Sequence, residues 1–429
     1  MSESWKHAES LVRAARAAGA EGAEALVVGS RIHHCVEATG PVALREEKRA
    51  WIRVYGADGS VGIAQGGLDA GALLAAAQAA AEPGPAGGGP APRLDVPTRG
   101  LGILDPRQSS LDDEQRQSVV EDAIDDCGGV DRRVLPGEFA YDEVVQDRGF
   151  ASSLGVSLGE QSTRYRLTGA ARLRGVDVQV TGAITSRNFA EVGSKPLGVA
   201  LGRRAVALGR SAPLPASAVP LALAPAVIAE LLPRIVRAFR AELVSSGASF
   251  LAGREQRPFG SSVLHLVDDA ALLGGYATRS CDDRGVPPVP VNLIKEGRLG
   301  GLYQGVEAAR TTDARPSGHE TWDGGAWLGN LVVRAGNRSR NMIFPELGTL
   351  VLVDDLVSVE RCDLRTGELE LLVHAHRYES TQAQGFCGVQ RIVCHVDDLF
   401  GGVTHILNDQ ARVGVVDTPT WIVTGVWFS

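Results

Sequence analysis

Lysine is nearly missing. Lys6, Lys48, Lys195 and Lys295 are the only four in a chain of 429 residues with 43 basic side chains, and arginine supplies the rest. Beside so much alanine and glycine, this reads as codon usage in a GC-rich genome rather than as function. Positive charge is also outweighed, since 51 acidic residues leave a formal net charge of −8. A nucleic-acid surface would show a basic patch or a high isoelectric point, so no nucleic-acid partner is expected. No apolar run approaches the roughly 18 residues of a membrane-spanning helix. The opening "MSESWKHAES" has no basic-then-apolar signal peptide. A cytoplasmic protein with no membrane partner is the expectation. Paired cysteines are missing too. Cys35, Cys127, Cys281, Cys362, Cys387 and Cys394 form no CxxC pair and no regular framework, which reads as reduced, buried thiols. There is no GxSxG elbow, no P-loop and no GxGxxG.

What is present is a globular composition, 44% hydrophobic and 22% charged, at a length that suggests two or three domains. Residues 5–18 carry a helix pattern ended by Gly19, followed by strand-like runs at 24–38, 49–56 and 60–65. A second helix at 68–82 runs into "PGPAGGGPAP" (83–92), which reads as a linker or exposed loop. The next unit opens with a helix for which Ser110 is a plausible N-cap. Strands at 137–146, 149–157, 163–174 and 176–187 follow, with "RGVD" as the turn of an antiparallel meander, and a helix at 197–210 closes the unit. After "SAPLPASAVP" (211–220), short strands alternate with glycine-rich loops to the end. The expected fold class is α+β. The expected division is 1–92 and 105–212, together an N-terminal half, then a large, mostly antiparallel β domain at 219–429 opened by a helix.

That helix, "AVIAELLPRIVRAFRAEL" (226–243), has one apolar face and a polar face bearing Arg234, Arg237 and Arg240. Pro233 interrupts it. A proline removes the amide owed to the carbonyl of Ala229 and crowds that turn, at about 3 kcal/mol in a helix interior. The pattern therefore predicts a kink, which is either a relic without benefit or a bend that would aim the three arginines into a shared cavity, where they could hold a peptide carboxylate or an acidic side chain of a partner.

Other constellations carry weaker signals. "HAH" (374–376) places two imidazoles on one strand face without a third ligand at a matching spacing, so a paired strand face is the expectation. "IHHC" (32–35) alternates faces, and so do Cys394 and His395, which argues against a local chelate or dyad. The double aspartates at 268–269, 282–283, 354–355 and 397–398 read as turn and cap residues rather than a calcium site. "GHETWDGGAW" (318–327), with His319, Glu320 and Trp322, reads either as a plain surface loop or as a binding or lid element at a subunit interface or substrate channel. Together with "GREQRPFGSS" (253–262) it makes the C-terminal domain the expected site of partner contact.

The stretch "LVDD" (266–269), "DDRGVP" (282–287) and "IKEGRLGGLY" (294–303) resembles, in order and spacing, the TldD/PmbA (TldD/TldE) proteins, a family of two-subunit metallopeptidases. In the catalytic branch of that family, His-Glu-x-x-x-His on the helix that opens the last domain binds zinc, and a cysteine near the C-terminus is the third ligand. Aligned from Pro220 and Pro225, the motif falls on "PRIVRA" (233–238). Pro233 and Ala238 then stand in place of the histidines and Arg234 in place of the glutamate. The third-ligand region, about 404–408, offers His405 and no cysteine.

The resemblance implies a PmbA/TldE-like chain with no catalytic residue, metal or cofactor of its own. Zinc is expected in a TldD-like partner subunit carrying His-Glu-x-x-x-His. This chain would stabilise that partner and wall a chamber for unfolded peptides, such as precursor peptides or natural-product intermediates. Two other function classes are weighed against it. One is a stand-alone hydrolase with a relocated site at His374, His376 and His405 or at Cys387. The other is a homodimeric binding or scaffold protein.

Overall fold

The computed structural model describes residues 3–36, 40–85, 88–96, 100–194, 196–254 and 257–429. The first helix and strands are α1 (Ser4–Ala17), β1 (Gly22–Val36), β2 (Ala43–Tyr55), β3 (Ser60–Gly66), α2 (Ala70–Ala79) and β4 (Glu82–Pro83). They continue with α3 (Asp113–Gly129), β5 (Val134–Ser152), β6 (Ser157–Leu173), β7 (Gln179–Ser186), α4 (Phe189–Ser194) and α5 (Leu197–Ala207). All seven strands join one antiparallel sheet in the order β4-β3-β2-β1-β5-β6-β7.

Period-two alternation divides this sheet cleanly. Odd-numbered residues such as Val27, Phe139 and Tyr165 are buried beneath α1, α2, α3 and α5. Even-numbered residues of β1, β5 and β6 form the opposite face, which no helix of this half covers. The cap of α3 is Asp112 rather than Ser110. Its carboxylate accepts the Gln115 amide, and the Gln115 side chain returns the bond, a full capping box.

The second half begins with β8 (Leu221–Leu223), α6 (Pro225–Ile235) and α7 (Ala241–Ser245). Next come β9 (Leu266–Asp268), β10 (Val291–Lys295), β11 (Arg298–Leu299), α8 (Val306–Thr312), β12 (Leu331–Val333) and α9 (Arg340–Leu347). A long meander of β13 (Thr349–Cys362), β14 (Glu368–Glu379) and β15 (Gln382–His395) leads to α10 (Val396–Gly401). The chain closes with β16 (Val403–Ile406), β17 (Ala411–Val413), β18 (Val416–Thr418) and β19 (Trp421–Val423). These strands make two six-stranded sheets, β11-β10-β9-β12-β18-β17 and β15-β14-β13-β8-β19-β16. Helix α6 packs on strands of both sheets, and its apolar face joins their side chains in one core. The architecture is mixed α+β, with mostly antiparallel sheets. No helix of the described residues is long and apolar enough to cross a membrane.

Candidate functional site

The helix with the interior proline is short. Regular α-helix ends at Ile235, two residues past Pro233, and passes into a 3-10 turn over Val236–Phe239. Arg240 is extended, and α7 starts after it. Pro233 leaves the Ala229 carbonyl without its helical amide, but only Arg234 and Ile235 of α6 follow it, so little helix beyond the proline is disturbed. The apolar periodicity across 226–243 hid this break, because Val236 and Phe239 are buried by the tighter turn as they would be by a helix.

The three positions that the resemblance aligns with a zinc motif differ in exposure. Pro233 is half-buried, Arg234 is exposed, and Ala238 is fully buried in the core. An imidazole at 238 would have to enter a close-packed interior. Pro233 and Ala238 have no side-chain donor atom and Arg234 is a fixed cation, so these residues do not fit a divalent metal. The arginines separate as well. Arg234 and Arg237 project near Cys362, whose thiol burial pushes up and these two pull back. Arg240 instead donates to the carbonyl of Gly324 and faces Glu242 at 3.8 Å. The expectation that all three share one cavity is corrected by the helix ending where it does.

Behind α6 lies an acid–imidazole cluster. The Asp354–Asp355 pair is in mid-strand, at a bulge of β13, and not in a turn. Asp355 faces His374 Nδ1 at 3.5 Å, and Asp354 faces His376 Nε2 at 3.4 Å. Arg204 of α5 crosses from the other half to meet Asp355 at 2.7 Å. Both imidazoles pack on the Phe386 ring. Burial lowers His374 and raises Asp355. A guanidinium therefore occupies the place a cation would take. Among the described residues, no three His, Cys, Asp or Glu side chains converge as a metal site. His405 cannot complete a relocated set, because three strands separate β16 from β14. Cys387 sits where burial raises its thiol, which disfavours the thiolate.

The loop 318–327 is not a free surface element. His319 is 1% exposed and Trp322 7% exposed. His319 Nε2 faces Asp268 at 3.6 Å, and the hydroxyl of Tyr303 donates to the same carboxylate at 2.7 Å. Glu320 takes the Arg284 guanidinium at 2.9 Å. The carbonyl of Trp322 accepts from Arg53, which lies over its ring at 5.2 Å. The His319 and Trp322 side chains make an internal joint, while Asp323 and Gly324 at the tip of the loop are exposed.

"DDRGVP" is the other side of that joint. Asp282 accepts three backbone amides, from Arg284, Val286 and Glu320. Arg284, 2% exposed in side chain, reaches into the first half to Glu24 at 2.9 Å and to Tyr55 at 3.0 Å. Arg148 of β5 returns the contact through Asp283 at 2.6 Å. Gly285 is required here, with φ +74° and a position where a Cβ would lie 2.2 Å from the Phe150 ring. The motif is thus a charged rivet between the halves. Within the 253–262 loop, Glu255 and Gln256 lie outside the described residues.

Sequence reasoning missed Arg204, Arg284 and Glu24, whose partners are distant in sequence. The hydrophobic setting of "DDRGVP" between two strands was the one available signal.

Comparison with known proteins follows this geometry. Residues 216–429 match the PmbA/TldA metallopeptidase C-terminal domain. No curated protein matches the chain. Among solved structures, TldE from Thermococcus kodakarensis superposes with a TM-score of 0.85 at 19% identity, covering 99% of this chain and 100% of that one. Proteins described as modulators of DNA gyrase give the same TM-score of 0.85. The one from Thermotoga maritima is 18% identical, with 99% of each chain covered. The one from Bacteroides thetaiotaomicron is 16% identical, covering 99% of this chain and 98% of that one. At these identities the structures establish the fold. With that fold, the matched C-terminal half and the ordered "LVDD", "DDRGVP" and "IKEGRLGGLY" segments, the chain belongs to the TldD/PmbA family.

Proposed function

We propose that this chain is the subunit without a metal site in a two-subunit peptidase of the TldD/TldE type. One observation carries the reading. The positions matching His-Glu-x-x-x-His hold Pro233, Arg234 and Ala238, and Ala238 is sealed in the core. No catalytic step is assigned to this chain. Zinc and the general base belong, in this reading, to a TldD-like partner in the cytoplasm. This subunit stabilises the partner and walls a chamber that admits unfolded peptide or a peptide-like precursor. Direct contact with DNA is outside the reading, given the net charge of −8. The His374 and His376 imidazoles are buried against Asp355, Asp354 and the Phe386 ring, which favours this proposal over a relocated hydrolase.

The test is capture and metal analysis. The tagged chain is expected to retain a protein bearing His-Glu-x-x-x-His, with zinc entering the complex alongside that protein. One equivalent of zinc in the chain alone, surviving dialysis against a mild chelator, contradicts the proposal. So does a chain that recovers only copies of itself.

A further inference from the structure

Arginines without carboxylates gather at one corner of the open sheet face. Arg164 and Arg166 are two residues apart on β6 and share that face. Their cross-strand neighbours on β5 are Val144 and Asp142. On the other side, Thr185 of β7 lies beside Arg166. Arg187 follows directly after β7, and Tyr276 comes over the corner from the second half, its ring 6.0 Å from the Arg187 guanidinium. Burial pushes the Tyr276 phenol up, while Arg164, Arg187 and Arg166 pull it back, so all three cations lie close to its hydroxyl.

The carboxylates nearby are already committed. Asp142 holds His34 at 2.7 Å, and Asp283 holds Arg148 at 2.6 Å. Glu160 takes the amide of Ser280, and Asp417 faces Arg412 at 3.6 Å. Among the described residues, Arg164 donates to the Gln146 amide oxygen at 3.2 Å, and no ion pair includes Arg164, Arg166 or Arg187. Arg187 gives hydrogen bonds to the carbonyls of Gly275, Thr163 and Thr278, which leaves guanidinium donors over. Burial and then Arg164 draw Arg187 down to about 9. Burial and then Arg148 draw Arg279 down to about 10. An anion would relieve that repulsion.

There is also room for one. A cavity of about 450 Å³ opens at this corner and spans both halves of the chain. It is lined by Thr185, Arg187, Tyr276 and Arg412 and by two carboxylates, Glu191, which accepts from the Ser186 hydroxyl at 2.9 Å, and Asp417, which faces Arg412. The Thr185 hydroxyl is buried there without a hydrogen-bond partner. Arg166 on the sheet face is exposed and Arg164 half-buried, so both can reach a ligand at the cavity rim. Arg187, 7% exposed, is instead held in place beneath the cavity.

We propose that this cleft binds a carboxylate of an extended acidic peptide, with Arg166, Thr185 and the Tyr276 hydroxyl as contacts and Arg187 as the fixed charge beneath. The choice of a peptide rests on the peptidase reading above. The cationic cleft itself does not depend on it. Planar carboxylate suits a guanidinium through paired N–H donors.

The experiment uses the full chain alone, so its outcome is separate from capture of a zinc-bearing partner. Anisotropy is measured with a labelled extended peptide rich in Asp and Glu, and with the same peptide carrying Asn and Gln. The acidic peptide should bind about tenfold more tightly or better. Arg166→Ala should erase that difference without changing the melting temperature, and Tyr276→Phe should reduce it. Arg365→Ala, an exposed arginine on a turn of the other half, should leave it intact. Equal binding of the two peptides overturns the inference, as does an equal loss in Arg365→Ala. If inorganic phosphate or a single-stranded oligonucleotide binds and neither peptide does, the assignment to a peptide carboxylate is overturned.

Discussion

Two groups of arginine lie on the same face of the N-terminal sheet and are built in opposite ways. At the seam, Arg284 meets Glu24 and Glu320, and Arg148 meets Asp283, each with a carboxylate at hydrogen-bond distance. At the open corner, Arg164, Arg166 and Arg187 make no ion pair among the described residues. Buried charge that is fully paired holds parts of a chain together, and removing one member leaves the other stranded. Charge left unpaired at a cavity has its partner still to come. The seam therefore accounts for how the halves stay joined, and the corner for what the molecule can receive.

The comparison breaks first, and most visibly, if the seam loop is dispensable. Deletion of 316–326 removes His319, Glu320 and Trp322 together. It should cost more than any single substitution, giving an insoluble chain or a melting transition lowered well beyond the point variants. A deletion variant that keeps the parent melting temperature would make 318–327 the surface loop its sequence suggests. Next in size, Arg284→Ala takes the nearest cation from both Glu24, which keeps Arg53 at 3.6 Å, and Glu320, and should cost about 3 kcal/mol in urea denaturation. Arg166→Ala at the corner should stay within about 0.5 kcal/mol. Similar costs for both would erase the distinction.

A pH series sharpens the same contrast. Burial pushes Asp282 up to about 7 in the folded chain, above the roughly 3.9 of an unfolded aspartate. The folded state therefore holds the extra proton between those values. Its contribution is complete below about 4 and is lost as pH rises through about 7. Stability in denaturant should fall from pH 5 to pH 8, and Asp282→Asn should flatten that slope. Arg187 and Arg279 at the corner titrate at about 9 and about 10, so they add none in this window. The smallest effect is expected at Pro233. Because α6 ends two residues later, Pro233→Ala should change stability by about 1 kcal/mol or less, and not by the roughly 3 kcal/mol of a helix interior. Calorimetry of the variant checks this.

Local structure was legible wherever one periodicity ruled without interruption. The helix read at 5–18 is α1, and the meander around "RGVD" is the β6–β7 hairpin. Reading failed where long-range packing chose the local form. Strand β5 runs unbroken through Gly149, which looked like a strand boundary. It is glycine because the α1 backbone presses there, with Trp5 N 2.0 Å from where a Cβ would lie. Strand β8 is three residues between prolines, too short to show a period, and only its pairing with β13 and β19 makes it a strand. That Pro233, Arg234 and Ala238 carry no zinc donor is read from the residue types alone, and their place in a site comes from the family resemblance. The seam was not legible, because Glu24 and Arg284 are 260 residues apart and no local pattern joins them.

The central claim is that this chain contributes structure and no catalysis to a two-subunit peptidase. Reconstitution tests it most directly. The purified chain is titrated into a zinc-bearing TldD-like subunit while cleavage of an unfolded peptide is followed. The account predicts no cleavage by this chain alone and activity that rises to a plateau near one chain per partner. Cleavage by this chain without the partner, or partner activity that ignores its addition, would contradict it.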